Sequence, residues 1–294
     1  MPDLDDLSNL TRLAQWLVSH GETLQFALLF AGFLSLAVIE RFVPRRPVDA
    51  DHRRRWVTNI LLTCLSIAVL MALPASFVTA AFWAEGAHFG LLNRADLPMP
   101  ALALATVLLR AFISFGTHYL MHKVPLLWRF HRVHHLDTEL DVSTTARFHP
   151  LEMPLGLAIG LPVVVGLGLT PWALILYEAL DVGVTLFSHA NIRLPAAIDR
   201  WLRYLIVTPD LHRVHHSAYQ PETDSNFGAV FPIWDVVFGT LRTETRESQV
   251  TMQLGLSEVR EPRSNELRWL LWSPLRASRG DQLVPTAMED RHVK

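Results

Sequence analysis

The sequence predicts an all-α integral membrane helical bundle, about three full spans plus a short helical hairpin, with a cytoplasmic helical cap that carries clustered histidines. Hydrophobic residues make up 50% of the 294 positions and are concentrated in long uncharged runs. Two of these runs, Val57–Ala84 and Met153–Tyr177, exceed the about 20 residues that cross the hydrocarbon as a helix. Neither shows the polar face that a helix on a soluble core would need. Ten of the 14 histidines lie between residues 118 and 216, eight of them at spacings of three or four that place them on shared helical faces.

The elements follow in order. Thr23–Ile39 is the first span; the preceding "MPDLDDLSN" is polar and acidic and lacks the basic start and small-residue cleavage site of a secretory signal, so the helix is expected to be retained. Arg41, Arg45, Arg46, Arg53, Arg54 and Arg55 separate it from the second run, and the positive-inside rule makes that loop cytoplasmic and the N-terminus external. Val57–Ala84 is the second span and Met99–Met121 the third, returning residue 121 to the cytoplasmic side. Arg110 interrupts the third span and is expected to face a polar interior. The stretch 153–188 is short for two spans and a turn, and "GLGLTP" at 166–171 breaks it, so it reads as a hairpin that dips into the membrane and returns. Residues 1–242 then form a single membrane-embedded domain with a histidine-rich region at 110–242, and 243–294 form a polar cytoplasmic tail. Within the tail, Leu267 to Trp272 is a modest apolar group expected to cover the cap or lie on headgroups, and the end from Arg279 is expected to be mobile.

Composition excludes several classes. A formal net charge of −2 argues against a nucleic-acid surface, and a single cysteine, Cys64, permits neither an intrachain disulfide nor a thiolate cluster. A bound metal must be held by nitrogen or oxygen.

The histidines form three groups: His118 and His122 in "HYLMH", His131, His134 and His135 in "HRVHH", and His212, His215 and His216 in a second "HRVHH". His149 in "ARFHPLE" and His189 in "FSHANI" complete the set, while His20, His52, His88 and His292 read as ordinary residues. Imidazoles buried together without a cation waste donors and repel on protonation, whereas neutral imidazole is the commonest metal ligand. Ten nitrogens exceed the eight of two closed tetrahedral zinc sites and suit two ions with an open position; iron, zinc, copper and nickel all accept such ligands. Hydrolytic zinc chemistry lacks its usual H-E-x-x-H motif. Asp181, Thr185 and His189 recur every four residues, so Asp181, with Glu178 beside it, is expected to accept the outer N–H of His189, unless these are charges merely leaving the membrane. Arg147 is expected to pair with Glu152 or orient His149, or else to snorkel.

With these motifs in place, the chain resembles the fatty acid hydroxylase/sterol desaturase superfamily of membrane di-iron proteins. The resemblance covers about residues 38–242: "ERFVPRRP", the three histidine boxes in order, "TTARFHPLE", "SHANIRLP", and "NFGAVFPIWDVVFGTLR", which begins at Asn226. It implies two iron ions held by His118, His122, His131, His134, His135, His212, His215 and His216, completed by His189 and His149, with zinc as a substituting metal. Asn226 joins Asp181, Glu178 and Arg147 as an outer supporting residue. The implied activity is O2-dependent hydroxylation or desaturation of a membrane lipid, whether sterol, fatty acyl, ether lipid or carotenoid; the alternative is a non-catalytic metal- or lipid-binding relative. The chain has no nicotinamide or flavin fingerprint and no fused cytochrome b5-like domain. Electrons are therefore expected from a separate ferredoxin or cytochrome b5-like donor with its reductase, docking on the Arg41–Arg55 loop and on Arg129, Arg132 and Arg213. The implied setting is a bacterial inner membrane.

Overall fold

The computed structural model describes residues 4–47, 52–260 and 262–276. Among them every regular element is helical, and the strand-like pairings are two isolated bridges, Pro44 with Ile192 and Ser217 with Leu254. In chain order the helices are α1 (Leu4–Phe42), α2 (His52–Met71), α3 (Phe77–Gly86), α4 (Met99–Lys123), α5 (Pro125–His135), α6 (Glu152–Leu167) and α7 (Pro171–His189). Short helices follow: α8 (Ala196–Leu202), α9 (Pro209–His215), α10 (Gln220–Thr223), α11 (Ile233–Phe238) and α12 (Leu267–Trp272). Four of them, α1, α2, α4 and α7, are long and apolar enough to cross a membrane.

Three boundaries differ from the sequence reading. α1 starts at Leu4 rather than near Thr23, and its 39 residues extend about 58 Å at about 1.5 Å each, well beyond the about 30 Å hydrocarbon layer. The run 57–84 is not one span. α2 stops at Met71, Pro74 interrupts the chain, and α3 restarts behind Ser76, whose hydroxyl accepts the Thr79 N–H while the Thr79 hydroxyl accepts the Ser76 N–H. The hairpin does turn where Gly and Pro placed it, with Gly168 at φ 66° and Pro171 in the first position of α7. Its arms are unequal, however: α6 has 16 residues and α7 has 19, so the returning arm alone is of spanning length.

α1 packs along α7. A Cβ on Gly21 would sit 2.4 Å from Ile175 Cγ2, so glycine is what lets the two helices approach, as small residues do between helices in lipid. Ala14 and Leu17 fill the same seam against Trp172, Ala173 and Ile175.

Polar ties fix this bundle to the cap. Glu40, near the end of α1, accepts from the backbone N–H of Val142 at 2.8 Å and of Asn191 at 2.7 Å. Arg55, on the first turn of α2, is buried against Asp137 at 2.8 Å and against Asp141. Half of the arginines in this stretch are thus tied into the fold, since Arg45 pairs with Asp210 at 2.9 Å and Arg46 donates to the Met252 carbonyl at 2.8 Å. Its residues 48–51, the end from Arg279 and His292 lie outside the described residues. The described part of the tail folds back: Leu270 on α12 packs with Leu62, Val133 and Leu136, covering the back of α5.

Candidate metal centre

Four helices deliver histidines to one place. The last turns of α4 carry His118 and His122, the second half of α5 carries His131, His134 and His135, α7 ends at His189, and α9 carries His212 and His215 with His216 directly after it. Nine of the ten expected ligands fall into two groups, His118, His122, His131, His135 and His215 in one and His134, His189, His212 and His216 in the other. Within each group the ligand-capable nitrogens lie within 4.8 Å of one another.

The repeated pentapeptide is shared between the groups. In the first copy the i, i+4 pair His131 and His135 enters the five-membered group while His134 turns to the other. In the second copy the pair His212 and His216 enters the four-membered group and His215 crosses over. At 3.6 residues per turn, residues four apart lie about 40° from one another, while the residue at i+3 lies about 60° from the first and about 100° from the second, enough to aim at the neighbouring group. One helical turn therefore reaches both groups, and that is what writing the motif twice accomplishes.

Outward hydrogen bonds decide which ring nitrogens face inward. The Nδ1 atoms of His118, His189 and His215 lie 2.8, 2.8 and 2.7 Å from the carbonyl oxygens of Phe227, Thr185 and Ser225. A carbonyl only accepts, so each of these rings carries its proton on Nδ1 and turns a bare Nε2 inward. His131 Nδ1 meets Glu152 Oε1 at 2.7 Å and His122 Nδ1 meets Asp224 Oδ1 at 3.3 Å. Inside, Nε2 faces Nε2: His118 and His131 at 3.0 Å, His131 and His135 at 3.2 Å, His134 and His189 at 3.1 Å, His189 and His212 at 3.0 Å. The Nε2 atoms of His122 and His215 are buried with no partner. Lone pairs converging on lone pairs in a buried space are what a cation would relieve. The four-membered group is less well braced from outside, since the Nδ1 atoms of His134, His212 and His216 have no partner.

Burial also sets the charge. It lowers the pKa of His131 from its ordinary value to about 3. It holds His134, His135, His212, His215 and His216 well below the ordinary histidine range, and repulsion among neighbouring imidazoles lowers them further. All six are neutral near pH 7, the form that binds metal.

Several expected roles are corrected. His149 joins neither group; its Nε2 bonds the Leu271 carbonyl at 3.2 Å and its Nδ1 accepts from Leu151 N–H at 3.1 Å. Glu178 pairs with Arg110 at 2.8 Å, and Asp181 does not reach His189, because two helical turns separate them and the Thr185 carbonyl one turn back is nearer. Asp181 Oδ1 and Thr185 Oγ1 are buried without partners. Arg147 meets neither Glu152 nor His149; it donates to the Val133 carbonyl at 3.0 Å, to Asn59 Oδ1 at 2.8 Å and to the Ser264 carbonyl. That holds α5 in place at the residue before His134. Asn226 acts through backbone, its amide bridging the carbonyls of Leu211 and Arg242 at 3.0 and 2.8 Å, and so positions Phe227 and α9. Arg132 and Arg213, expected as surface charge, are only 5% and 0% exposed; Arg132 donates to the Ser273 carbonyl and Arg213 to Asp210.

Glu152 and Asp224 are the residues that sequence reasoning missed as histidine partners. They lie 21 and 102 positions from the rings they meet, too far for helical spacing to relate them.

Comparison with known proteins agrees with this geometry. Residues 103–240 match the family described as fatty acid hydroxylase. An ornithine lipid hydroxylase of Rhizobium tropici is 29% identical over 73% of this chain and 66% of its own length. A cholesterol 25-hydroxylase-like protein of Danio rerio is 34% identical over 48% of this chain and 55% of its own length. Human alkylglycerol monooxygenase is 26% identical over 46% of this chain and 30% of its own length. The chain thus spans two thirds or less of these relatives, and no solved structure matches it. The family match covers the region that holds all nine clustered histidines, and over that region the chain is similar to the fatty acid hydroxylase family.

Proposed function

We propose that this chain is an O2-dependent oxidoreductase with two irons, which hydroxylates or desaturates an unactivated C–H position of a membrane lipid using electrons from a separate donor. The observation that carries the reading is the pair of buried histidine groups with inward-facing Nε2 atoms. Five and four nitrogens fit two ions that each keep an open position, and imidazole is a ligand that iron accepts. The relatives' names support a lipid substrate, since two are named for an ornithine lipid and an alkylglycerol and a third for its likeness to a cholesterol hydroxylase. Two bound irons would supply oxygen activation and hydrogen removal from carbon.

The chain's own residues do the rest. His118, His122, His131, His135 and His215 would hold one ion, and His134, His189, His212 and His216 the other. The Phe227, Ser225 and Thr185 carbonyls fix the orientation of three rings and keep their inner nitrogens free of protons, and Glu152 orients His131. Burial of the rings excludes bulk water. Both HRVHH copies face the cytoplasm in this reading, with the N-terminus outside. For the donor, Arg41 and Arg53 remain exposed, and Arg54 does so while paired with Glu266 at 3.0 Å.

The test is anaerobic purification followed by metal analysis, then incubation with candidate lipids, oxygen, and a ferredoxin and its reductase. Two irons per chain and a donor-dependent product that gains one oxygen or loses two hydrogens are expected. Iron without turnover on any lipid would favour the non-catalytic alternative, and absence of iron would overturn the reading.

A further inference from the structure

The segment after the last histidine box runs down the side of α4. Phe227 packs against His118 and Tyr119, with ring centroids 5.7 and 5.3 Å apart. Farther on, Val230 and Phe231 pack with Ala111 and Tyr177. Trp234, at the start of α11, donates its indole N–H to the Leu108 carbonyl at 3.2 Å and packs at a tilt against Phe112, ring centroids 5.0 Å apart. Phe238 then brings the chain back to Phe115 at 5.3 Å. The excursion covers ten residue steps of α4, from His118 to Leu108, or about 15 Å at about 1.5 Å per residue.

α4 itself fixes the depth. If Met99 marks one edge of the hydrocarbon, Leu108 lies about 14 Å inside; if Lys123 marks the other edge, it lies about 22 Å inside. Both limits leave Trp234 within a layer about 30 Å thick. We infer that residues 226–240 form a re-entrant loop inserted into the bilayer beside α4, with one face of α11 in contact with acyl chains.

Side chains and backbone agree with that placement. Ser225 to Leu241 carries one charged residue, Asp235. Asp235 is 1% exposed, and its carboxylate accepts from Phe227 N–H, Gly228 N–H and the Thr240 hydroxyl at 2.7, 2.8 and 2.7 Å. Non-helical backbone survives at membrane depth only where its polar groups are satisfied inside protein, and Asp235 does this at the turn. On the other side, Ile233, Val236, Val237 and Phe238 are 44%, 59%, 62% and 54% exposed. One turn before Leu108 on α4, Leu104 is itself 62% exposed. In water such a patch would be a liability; in lipid it is the expected surface.

The experiment places a spin label at residue 236 or 237 in a Cys64→Ser background, using V236C and V237C in reconstituted vesicles. L104C serves as the lipid-facing reference and E258C as the aqueous one. Accessibility to oxygen is compared with that to a water-soluble nickel complex. The inference expects oxygen-to-nickel ratios at 236 and 237 that match residue 104 and exceed residue 258 several-fold. Ratios like that of residue 258 would place α11 in water, and labels shielded from both reagents would place it in a protein interface; either overturns the insertion. The readout needs no metal and no turnover.

Discussion

Glu152 Oε1 lies 2.7 Å from His131 Nδ1, and both side chains are nearly inaccessible to solvent. The carboxylate stands at the first residue of α6, so the start of the hairpin aligns a ring on α5. Glu152→Gln keeps the shape but weakens the acceptor. Loss of such a support typically lowers metal affinity by about 10- to 100-fold, and competition with a chelator of known affinity measures it. Unchanged affinity would remove Glu152 from the site.

His149 provides the opposite case. His134→Ala and His215→Ala each remove a nitrogen from one group, so both are expected to lower bound metal and abolish turnover while membrane insertion persists. His149→Ala is expected to retain full metal content, because both of its ring nitrogens are engaged outside the groups. Metal analysis of the three variants decides whether the ligand set is nine or ten.

Metal-free protein should be acid-sensitive. The clustered imidazoles have folded pKa values below their ordinary value, with burial as the main cause and about 3 for His131. The unfolded chain therefore binds protons first. Their contribution is complete above the ordinary histidine pKa of about 6.5 and is lost as pH drops below it; burial raises Glu152 to about 8, which acts in the opposite direction but from a single group. Asp137 does not produce this early loss: burial raises its pKa, but Arg55 and Arg147 hold it below the ordinary aspartate value, so its contribution is lost only at lower pH. Unfolding midpoints of metal-free protein between about pH 8 and about pH 5 should decline; a flat profile would contradict the burial of neutral histidines.

Arg55 is the most consequential single ion-pair residue outside the metal groups. Its guanidinium is 3% exposed and faces Asp137 and Asp141 together. Arg55→Leu strands both carboxylates, and breaking a buried pair typically costs about 3–5 kcal/mol. Thermal unfolding in detergent should show a large drop, with partial recovery when Asp137→Asn is added. An unchanged midpoint would mean that these carboxylates are solvated in the protein.

That the histidines cluster was legible because spacings of three and four on a helix are local information. The sequence reading nevertheless put each HRVHH on one face, whereas each is divided between the two groups. What braces each ring was not legible, since Glu152, Asp224 and the Phe227 carbonyl reach their histidines through tertiary folding. The break at Pro74 could have been read from the residue itself, but the apolar run around it outweighed it. Arg132 and Arg213 misled for a related reason. They sit next to histidines that point inward, and the fold wraps Ser273 and Asp210 around them, so a charge that composition assigns to the surface ends in the interior.

The division of each HRVHH between the two groups bears on how the protein fills. In the proposed two-ion centre α5 and α9 each serve both groups, while α4 serves only the first and α7 only the second. The first ion to bind would thus order α5 and α9 together and leave the remaining nitrogens already arranged. The ordering entropy falls mainly on the first event, and the second ion meets a prepared site. Loading would then be cooperative, with singly occupied chains scarce at intermediate metal supply, and a cell short of metal would hold a mixture of full and empty molecules rather than a population of half-built ones.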